Sequence, residues 1–242
     1  MIPDVSIVLS CYKRGRQLRK TMESIAAQNV KPELIVVEDG DDGITQTIAR
    51  QFGAKYFQRK RPDLPAFQNP SRIHNIGIRQ ATGNVVILQG GEVKYETKPN
   101  SITRLAELAA IGTHYVSPLV ASYDRHDNFS EWYSHPTQGS RTWWIINFCL
   151  AVKREHLFMV GGFEETYTGY GFEDSQLMFC LDQSGLKAKY AEDVLVGHQW
   201  HSRDNYNFTY PEGQAQFDGF VADVIAGRRP PVSNNGKAWG QL

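Results

Sequence analysis

The strongest constraint on the fold is an alternation that starts at Val5. The run Val5-Ser6-Ile7-Val8-Leu9-Ser10 is strand-like and ends in the polar turn Cys11-Tyr12-Lys13-Arg14-Gly15. Leu18, Met22, Ile25 and Ala26 then recur at helical spacing. A second strand-like run, Glu33-Leu34-Ile35-Val36-Val37, stops at the acidic turn Glu38-Asp39-Gly40-Asp41-Asp42-Gly43. Thr47, Ile48, Gln51 and Phe52 mark a second helix ahead of Ala54-Lys55-Tyr56-Phe57. Strand, helix, strand, helix, strand is the signature of a sheet built from right-handed crossovers. The expected fold class is α/β, with a mixed, mostly parallel sheet flanked by helices.

The pattern continues downstream. Residues 71–81 read as a helix, 85–88 as a strand, 101–110 as a helix and 115–120 as a strand. Residues 122–141 are polar, aromatic and weakly patterned, and are expected to form a substrate-side loop. Residues 145–152 read as a strand, 154–160 as a short helix, 175–185 as a helix and 194–196 as a late strand. Trp143 and Trp144 are expected in the core or a cleft wall. Residues 1–204 are expected to form one domain, with no internal repeat. Residues 205–242, rich in Asn, Pro and Gly, are expected to wrap its surface as a tail, with disorder at Asn234-Asn235-Gly236.

Charge excludes some functions. Lys+Arg and Asp+Glu number 26 each, so no global field attracts nucleic acid or an anionic membrane, although Lys13-Arg14-Arg16-Arg19-Lys20 and Arg59-Lys60-Arg61 are local basic clusters. Cys11, Cys149 and Cys180 lack disulfide or metal spacing and sit in apolar surroundings, as buried thiols in a reducing compartment do. No segment has the pattern of a secretory signal or the length of a membrane span, so no integral membrane segment and a cytoplasmic location are expected.

In open α/β sheets, ligands bind at the carboxyl ends of the strands. The first such loop offers Ser10, Tyr12 and Arg14; the second, Asp39; a later one, Gln89-Gly90-Gly91-Glu92. Gly161-Gly162-Phe163-Glu164-Glu165 leads to Gly169-Tyr170-Gly171-Phe172-Glu173-Asp174, which delivers two adjacent carboxylates to a helix start. The glycine pair permits close approach of backbone to a ligand, and Tyr167 and Tyr170 offer flat faces of the kind that stack on sugar rings. Spacing alone reads this stretch equally well as a capped helix or as a catalytic loop with a general base. His198 and His201 lie three apart near a strand end. Carboxylates and imidazoles together suit Mn²⁺ or Mg²⁺ on a nucleotide diphosphate, with imidazole tolerated by Mn²⁺. His74, on a helix face, reads as a packing residue or a donor-pocket neighbour.

Five segments in order carry a resemblance. Residues 5–14 resemble the opening strand of GT-A-fold, family-two-like glycosyltransferases; residues 34–43 resemble their second strand and acidic turn; residues 72–83 resemble the helix ahead of their metal motif. The stretch from Gly161 to Asp174 is similar to the acceptor and base segment of β-1,4-galactosyltransferases and chondroitin polymerases, and His201-Ser202-Arg203-Asp204 to a manganese-binding histidine segment. The resemblance implies a nucleotide-sugar donor, UDP-linked above all, held by Ser10, Tyr12, Arg14, Asp39, Arg72, Asn75 and Gln89, with Asp39 on the base. It implies Glu173 orienting an acceptor hydroxyl, Asp174 deprotonating it, and an inverting displacement. The acceptor would be a glycan, a lipid-linked sugar or a hydroxyl on a modified nucleic-acid base. His201, His198 and Glu92 would hold the metal.

The sequence departs from the family at that metal, since Gln89-Gly90-Gly91-Glu92 stands where Asp-x-Asp is expected. Three readings stay open: a metal held through Glu92 and His201, a metal-independent enzyme with basic residues on the diphosphate, or an inactive protein. The alternative function is a non-catalytic carbohydrate- or nucleotide-binding module. Nucleotidyl transfer lacks its usual glycine-rich basic loop after the first strand.

Overall fold

The computed structural model describes residues 4–60, 69–96, 99–136, 148–167, 169, 171–202 and 210–242. The opening alternation appears as β1 (Val5–Cys11), α1 (Gly15–Ala26), β2 (Glu33–Asp39), α2 (Thr45–Gln51) and β3 (Lys55–Arg59), followed by α3 (Ser71–Gln80) and β4 (Val85–Gly90). Next come β5 (Val93–Tyr95), α4 (Ser101–Ala110), β6 (His114–Tyr123), β7 (Phe129–Ser134) and β8 (Cys149–Lys153). The chain closes with α5 (Arg154–Met159), α6 (Glu173–Gln183), β9 (Lys187–His198) and α7 (Tyr210–Ile225).

Among the described residues one sheet runs β3-β2-β1-β4-β8-β6-β9-β5, with β7 on the side of β6. The β3-β2-β1-β4 half is parallel throughout. β8 enters antiparallel to β4, β9 lies parallel to β6, and β5 and β7 are antiparallel additions. Period-two alternation sends Ile7 and Leu9 to one face and Val8 to the other. The first face is covered by α1, α2 and α4 through Leu18, Met22, Ile48, Leu105 and their neighbours. The second is covered by α3, α5, α6 and α7 through Ile76, Leu157, Leu177 and Phe217. Both faces are therefore dry, and chemistry is left to the strand ends.

Three expectations are corrected. The stretch after residue 122 is not all loop: β6 runs on to Tyr123, Asp124 accepts from the His126 and Asn128 amides at 2.8 and 2.9 Å, and β7 returns as a hairpin. Its aromatic and polar residues form an outer strand with Phe129 exposed, so no inward apolar face marked it. Second, the tail contains a helix. Phe217 and Phe220 of α7 pack edge-on against Phe179 of α6, although Pro211, Gly213 and Gly219 argue against a helix by propensity. Third, Asn234 is not disordered but buried, inside a short 3₁₀ turn (Ser233–Gly236). The strand expected from residue 145 is described from Cys149; residues 145–147, Trp143 and Trp144 lie outside the described residues. Among the described residues no helix is long and apolar enough to cross a membrane.

Candidate active site

The first strand-end loop is shaped by backbone. Lys13 adopts a left-handed φ of 53°, unusual for a side-chain-bearing residue, and turns the chain into α1 with Arg14 at its entry. The Asp42 carboxylate accepts the Gly15 amide at 2.8 Å and the Thr45 amide at 2.8 Å, tying this loop to the acidic turn after β2. Those amides hold Asp42 ionised below its usual range, against the burial that pushes it up.

At the end of β4, Gly90 lets the chain fold over itself. A Cβ there would fall 2.8 Å from Glu92 Oε1, so the glycine gives the Glu92 carboxylate its place. The β9 end delivers His198, whose Nε2 lies 3.8 Å from Glu92 Oε1. His201 follows, with its ring 5.1 Å from that of His198. One ligand atom from each of Glu92, His198 and His201 lies within 4.8 Å of the others. Gln199 fixes this segment: its backbone amide donates to the Glu92 carbonyl at 3.0 Å, and its side chain donates to the Gln17 carbonyl and Thr21 hydroxyl, both at 3.1 Å. His198 is further packed against the stacked pair Tyr133 and Phe148, ring centroids 5.1 and 4.6 Å away.

Burial pushes the Glu92 carboxyl upward, but the nearby His198, His201 and Arg14 outweigh it and hold Glu92 below its usual range, ionised. One carboxylate and two imidazoles form a donor set of the kind that holds a divalent metal ion. The donor set is also incomplete by itself, which leaves coordination positions for substrate oxygens.

The second carboxylate centre sits at the start of α6. Gly171 and Phe172 carry left-handed φ of 96° and 69°, a sharp turn that sets Glu173 and Asp174 in the first helical turn. Asn69, buried ahead of α3, donates from Nδ2 to Glu173 Oε2 at 2.7 Å and to the Gly169 carbonyl at 2.9 Å. Glu173 is buried, and desolvation together with the adjacent Asp174 charge raises its pKa to about 8, with the Asn69 hydrogen bond opposing. Asp174 is half-buried. Asn69 reaches Glu173, and one turn on, the buried His74 stacks on Phe163 at 4.8 Å and senses the Glu92 charge.

The loop before α6 is braced from beneath. Asn75 donates to the Phe163 carbonyl and to Glu165, both at 2.9 Å, and accepts the Phe163 amide at 2.8 Å. From the tail, Asn234 donates to the Gly161 and Phe163 carbonyls at 2.7 and 2.8 Å, and the Gly240 amide meets Glu165 at 2.7 Å. Gly161 and Gly162 have φ of 77° and 68°, and a Cβ would fall 2.6 Å from the Ser233 carbonyl and 2.5 Å from Asn75 Oδ1.

Several expected roles change accordingly. The glycine pair admits the protein's own Asn75 and Ser233, not a ligand. Tyr167 is 5% exposed and donates its hydroxyl to Gln176 at 2.8 Å, so it is a core residue and offers no stacking face; Tyr170 lies outside the described residues. Asn75 is fully buried, with its amide engaged in the loop. Gln89 is likewise interior, donating to the Val93 carbonyl. Arg72 is half exposed and faces Glu165 at 3.8 Å. Asp39 stands at the β2 end, 2% exposed, with Arg59 3.7 Å away. Ser10 is half-buried, its carbonyl accepting the Gly91 amide at 2.8 Å, and Tyr12 is half-buried beside Lys13. Arg203 and Asp204 lie outside the described residues. Sequence reading missed Asn69, Gln199 and Asn234. Only the Asn69-Pro70-Ser71 helix start left a local trace, as a capping signal.

Comparison with known proteins agrees with this architecture. Residues 6–173 match the family described as Glycosyl transferase family 2. Glycosyltransferase AglE of Haloferax volcanii is 27% identical over 94 residues, 38% of this chain and 31% of that protein, so the chain matches less than a third of that relative's length. The fold is similar to Staphylococcus aureus TarS 1–349 in complex with UDP-GlcNAc (TM-score 0.72, 12% identity, 97% of this chain and 68% of that one). It is also similar to the mannosyltransferase PcManGT of Pyrobaculum calidifontis in complex with GDP-Man and Mn²⁺ (TM-score 0.66, 17% identity, 96% and 67%). The mixed sheet is thus the GT-A architecture, and the chain belongs to glycosyl transferase family 2.

Proposed function

We propose that this protein transfers a sugar from a nucleotide-sugar donor to a hydroxyl acceptor by an inverting displacement. The observation that carries the reading is the clustering of Glu92, His198 and His201 at the strand ends, together with the adjacent carboxylates Glu173 and Asp174 in the first turn of α6. In this reading Glu92, His198 and His201 hold Mn²⁺, which neutralises the departing diphosphate when bound. Arg14 and the α1 entry supply further positive charge there. Asp174, half-buried in the first turn of α6, takes the proton of the acceptor hydroxyl as it attacks the anomeric carbon opposite the diphosphate. Glu173, kept neutral, adds no second negative charge and donates a hydrogen bond that orients the acceptor.

The solved relatives bound to UDP-GlcNAc and to GDP-Man with Mn²⁺ support a nucleoside-diphosphate sugar as donor class. UDP is favoured here, with Asp39 and Arg59 at the β2 and β3 ends forming the base side. The acceptor in this reading is a glycan or another hydroxyl-bearing molecule. The test is turnover of a panel of UDP- and GDP-sugars with and without Mn²⁺, by wild type and by Asp174→Asn. Mn²⁺-dependent turnover lost in Asp174→Asn bears the reading out; undiminished turnover in the variant sinks the base assignment, and no turnover of any donor by wild type favours a binding module.

A further inference from the structure

Arg14 sits where a metal ion's charge would be needed. Its Nη2 lies 2.9 Å from His201 Nδ1 and its Nε lies 3.8 Å from Glu92 Oε2, so one guanidinium spans two of the three candidate ligands. The placement is built into the fold. The left-handed Lys13 turns the chain, Asp42 holds the Gly15 amide, and Arg14 itself is 8% exposed. A guanidinium carries donors only. We propose that Arg14 is a resident counter-ion of the Glu92–His198–His201 cluster, which the metal displaces and which the donor diphosphate then receives. The proposal rests on reading that cluster as the metal site.

The geometry forces the exchange whichever ring nitrogen of His201 ligates. Nδ1 lies between two groups of opposite demand, the Arg14 donor at 2.9 Å and the Ser202 carbonyl acceptor at 3.1 Å. The shorter, charge-assisted contact makes Nδ1 the acceptor and leaves the ring proton on Nε2. If an ion takes Nδ1, it competes with Arg14 for one lone pair. If it takes Nε2, the ring proton moves to Nδ1, where it donates to the Ser202 carbonyl and no longer accepts from Arg14. In either case two cations cannot share Glu92 and His201 at these separations without strong repulsion. A diphosphate brings the anionic oxygens that the released guanidinium needs, and guanidinium binds such groups in a bidentate manner. Metal and diphosphate therefore enter together, each raising the other's affinity, as linkage requires.

The test is Mn²⁺ binding, followed by electron paramagnetic resonance of the free ion, on the full chain with and without UDP. Arg14→Gln is expected to bind Mn²⁺ alone about tenfold more tightly than wild type, in the ordinary range of coupling between sites. The same variant is expected to bind Mn²⁺ together with UDP more weakly than wild type, so its two affinities move in opposite directions. Arg14→Lys, which keeps the charge, stays near wild type for Mn²⁺ alone. Unchanged or weaker Mn²⁺ binding by Arg14→Gln, with wild-type binding measurable, overturns the proposal and leaves the metal site standing. No binding by any form, with or without UDP, removes the metal reading and the proposal with it. If Arg14→Gln fails to fold, wild type carries the test through the Arg14 Nε–H resonance on addition of Cd²⁺ alone. Movement of that resonance supports displacement, and a fixed resonance in protein that binds Cd²⁺ overturns it.

Discussion

Glu92 and Glu173 are both withdrawn from solvent, yet their surroundings drive them in opposite directions. Burial raises both. Around Glu92, two imidazoles and the Arg14 guanidinium overcome it, and the carboxyl stays below its usual range. Around Glu173 the adjacent Asp174 adds to it, and Asn69 only partly offsets the result, leaving a pKa of about 8. Burial alone thus does not decide the charge of a carboxyl; nearby charges decide whether burial prevails. One centre is an anion waiting for cations. The other is a neutral acid beside an anion. A glycosyl transfer needs both, since the leaving diphosphate must be neutralised and the acceptor proton removed at separate points.

Four variants bear on that contrast, in falling order of effect. Asp174→Asn removes the group assigned to proton removal, and transfer should fall by about 10²–10⁴-fold with donor binding retained; a drop confined to KM breaks the assignment. Glu92→Gln removes the anion from the first centre and should weaken Mn²⁺ binding by at least about tenfold to a hundredfold, read by the same resonance titration. Asn234→Ala strips two buried carbonyls of their donor and should cost about 1–3 kcal/mol in denaturant unfolding. A loss that small, accompanied by slower transfer at unchanged Mn²⁺ affinity, would locate the tail's influence in the Glu173 half alone.

The fourth variant concerns pH. The native state keeps Glu173 protonated above the point where an unfolded glutamate ionises. The unfolded state therefore binds fewer protons, and stability falls as pH rises from about 4.5 to about 8. Each pH unit in that window is worth about 1.4 kcal/mol from this group. Glu173→Gln should flatten the wild-type slope there without touching its acid limb. An identical slope in both proteins contradicts a raised Glu173.

The same division explains what was legible in the sequence. β1, β2 and β4 announce themselves because a strand covered on both faces has to be apolar almost throughout, as Ile7-Val8-Leu9 and Ile35-Val36-Val37 are. Glu92, His198 and His201 were nameable because they fall at strand ends, where the fold collects ligands, and the structure brings them together. The bracing of the second centre was not legible. Asn69 meets Glu173 across 104 residues and Asn234 meets Phe163 across 71, and no local pattern encodes such pairs. Gly161 and Gly162 were visible as special positions, but a glycine says only that something approaches, not whether it is a ligand or, as here, the protein's own Asn75 and Ser233. Helix α7 was hidden by Pro211, Gly213 and Gly219, whose poor propensity is overridden by Phe217 and Phe220 packing on α6.

The central claim is that the two carboxyls, Glu92 and Glu173, have separate tasks, and one titration separates them most directly. Mn²⁺ binding in the presence of UDP is measured on wild type, Glu92→Gln and Glu173→Gln, with thermal unfolding to confirm that all three are folded. The account predicts that Glu92→Gln loses at least a factor of about ten in affinity while Glu173→Gln matches wild type. Loss of Mn²⁺ binding in Glu173→Gln, or its full retention in Glu92→Gln, would contradict it.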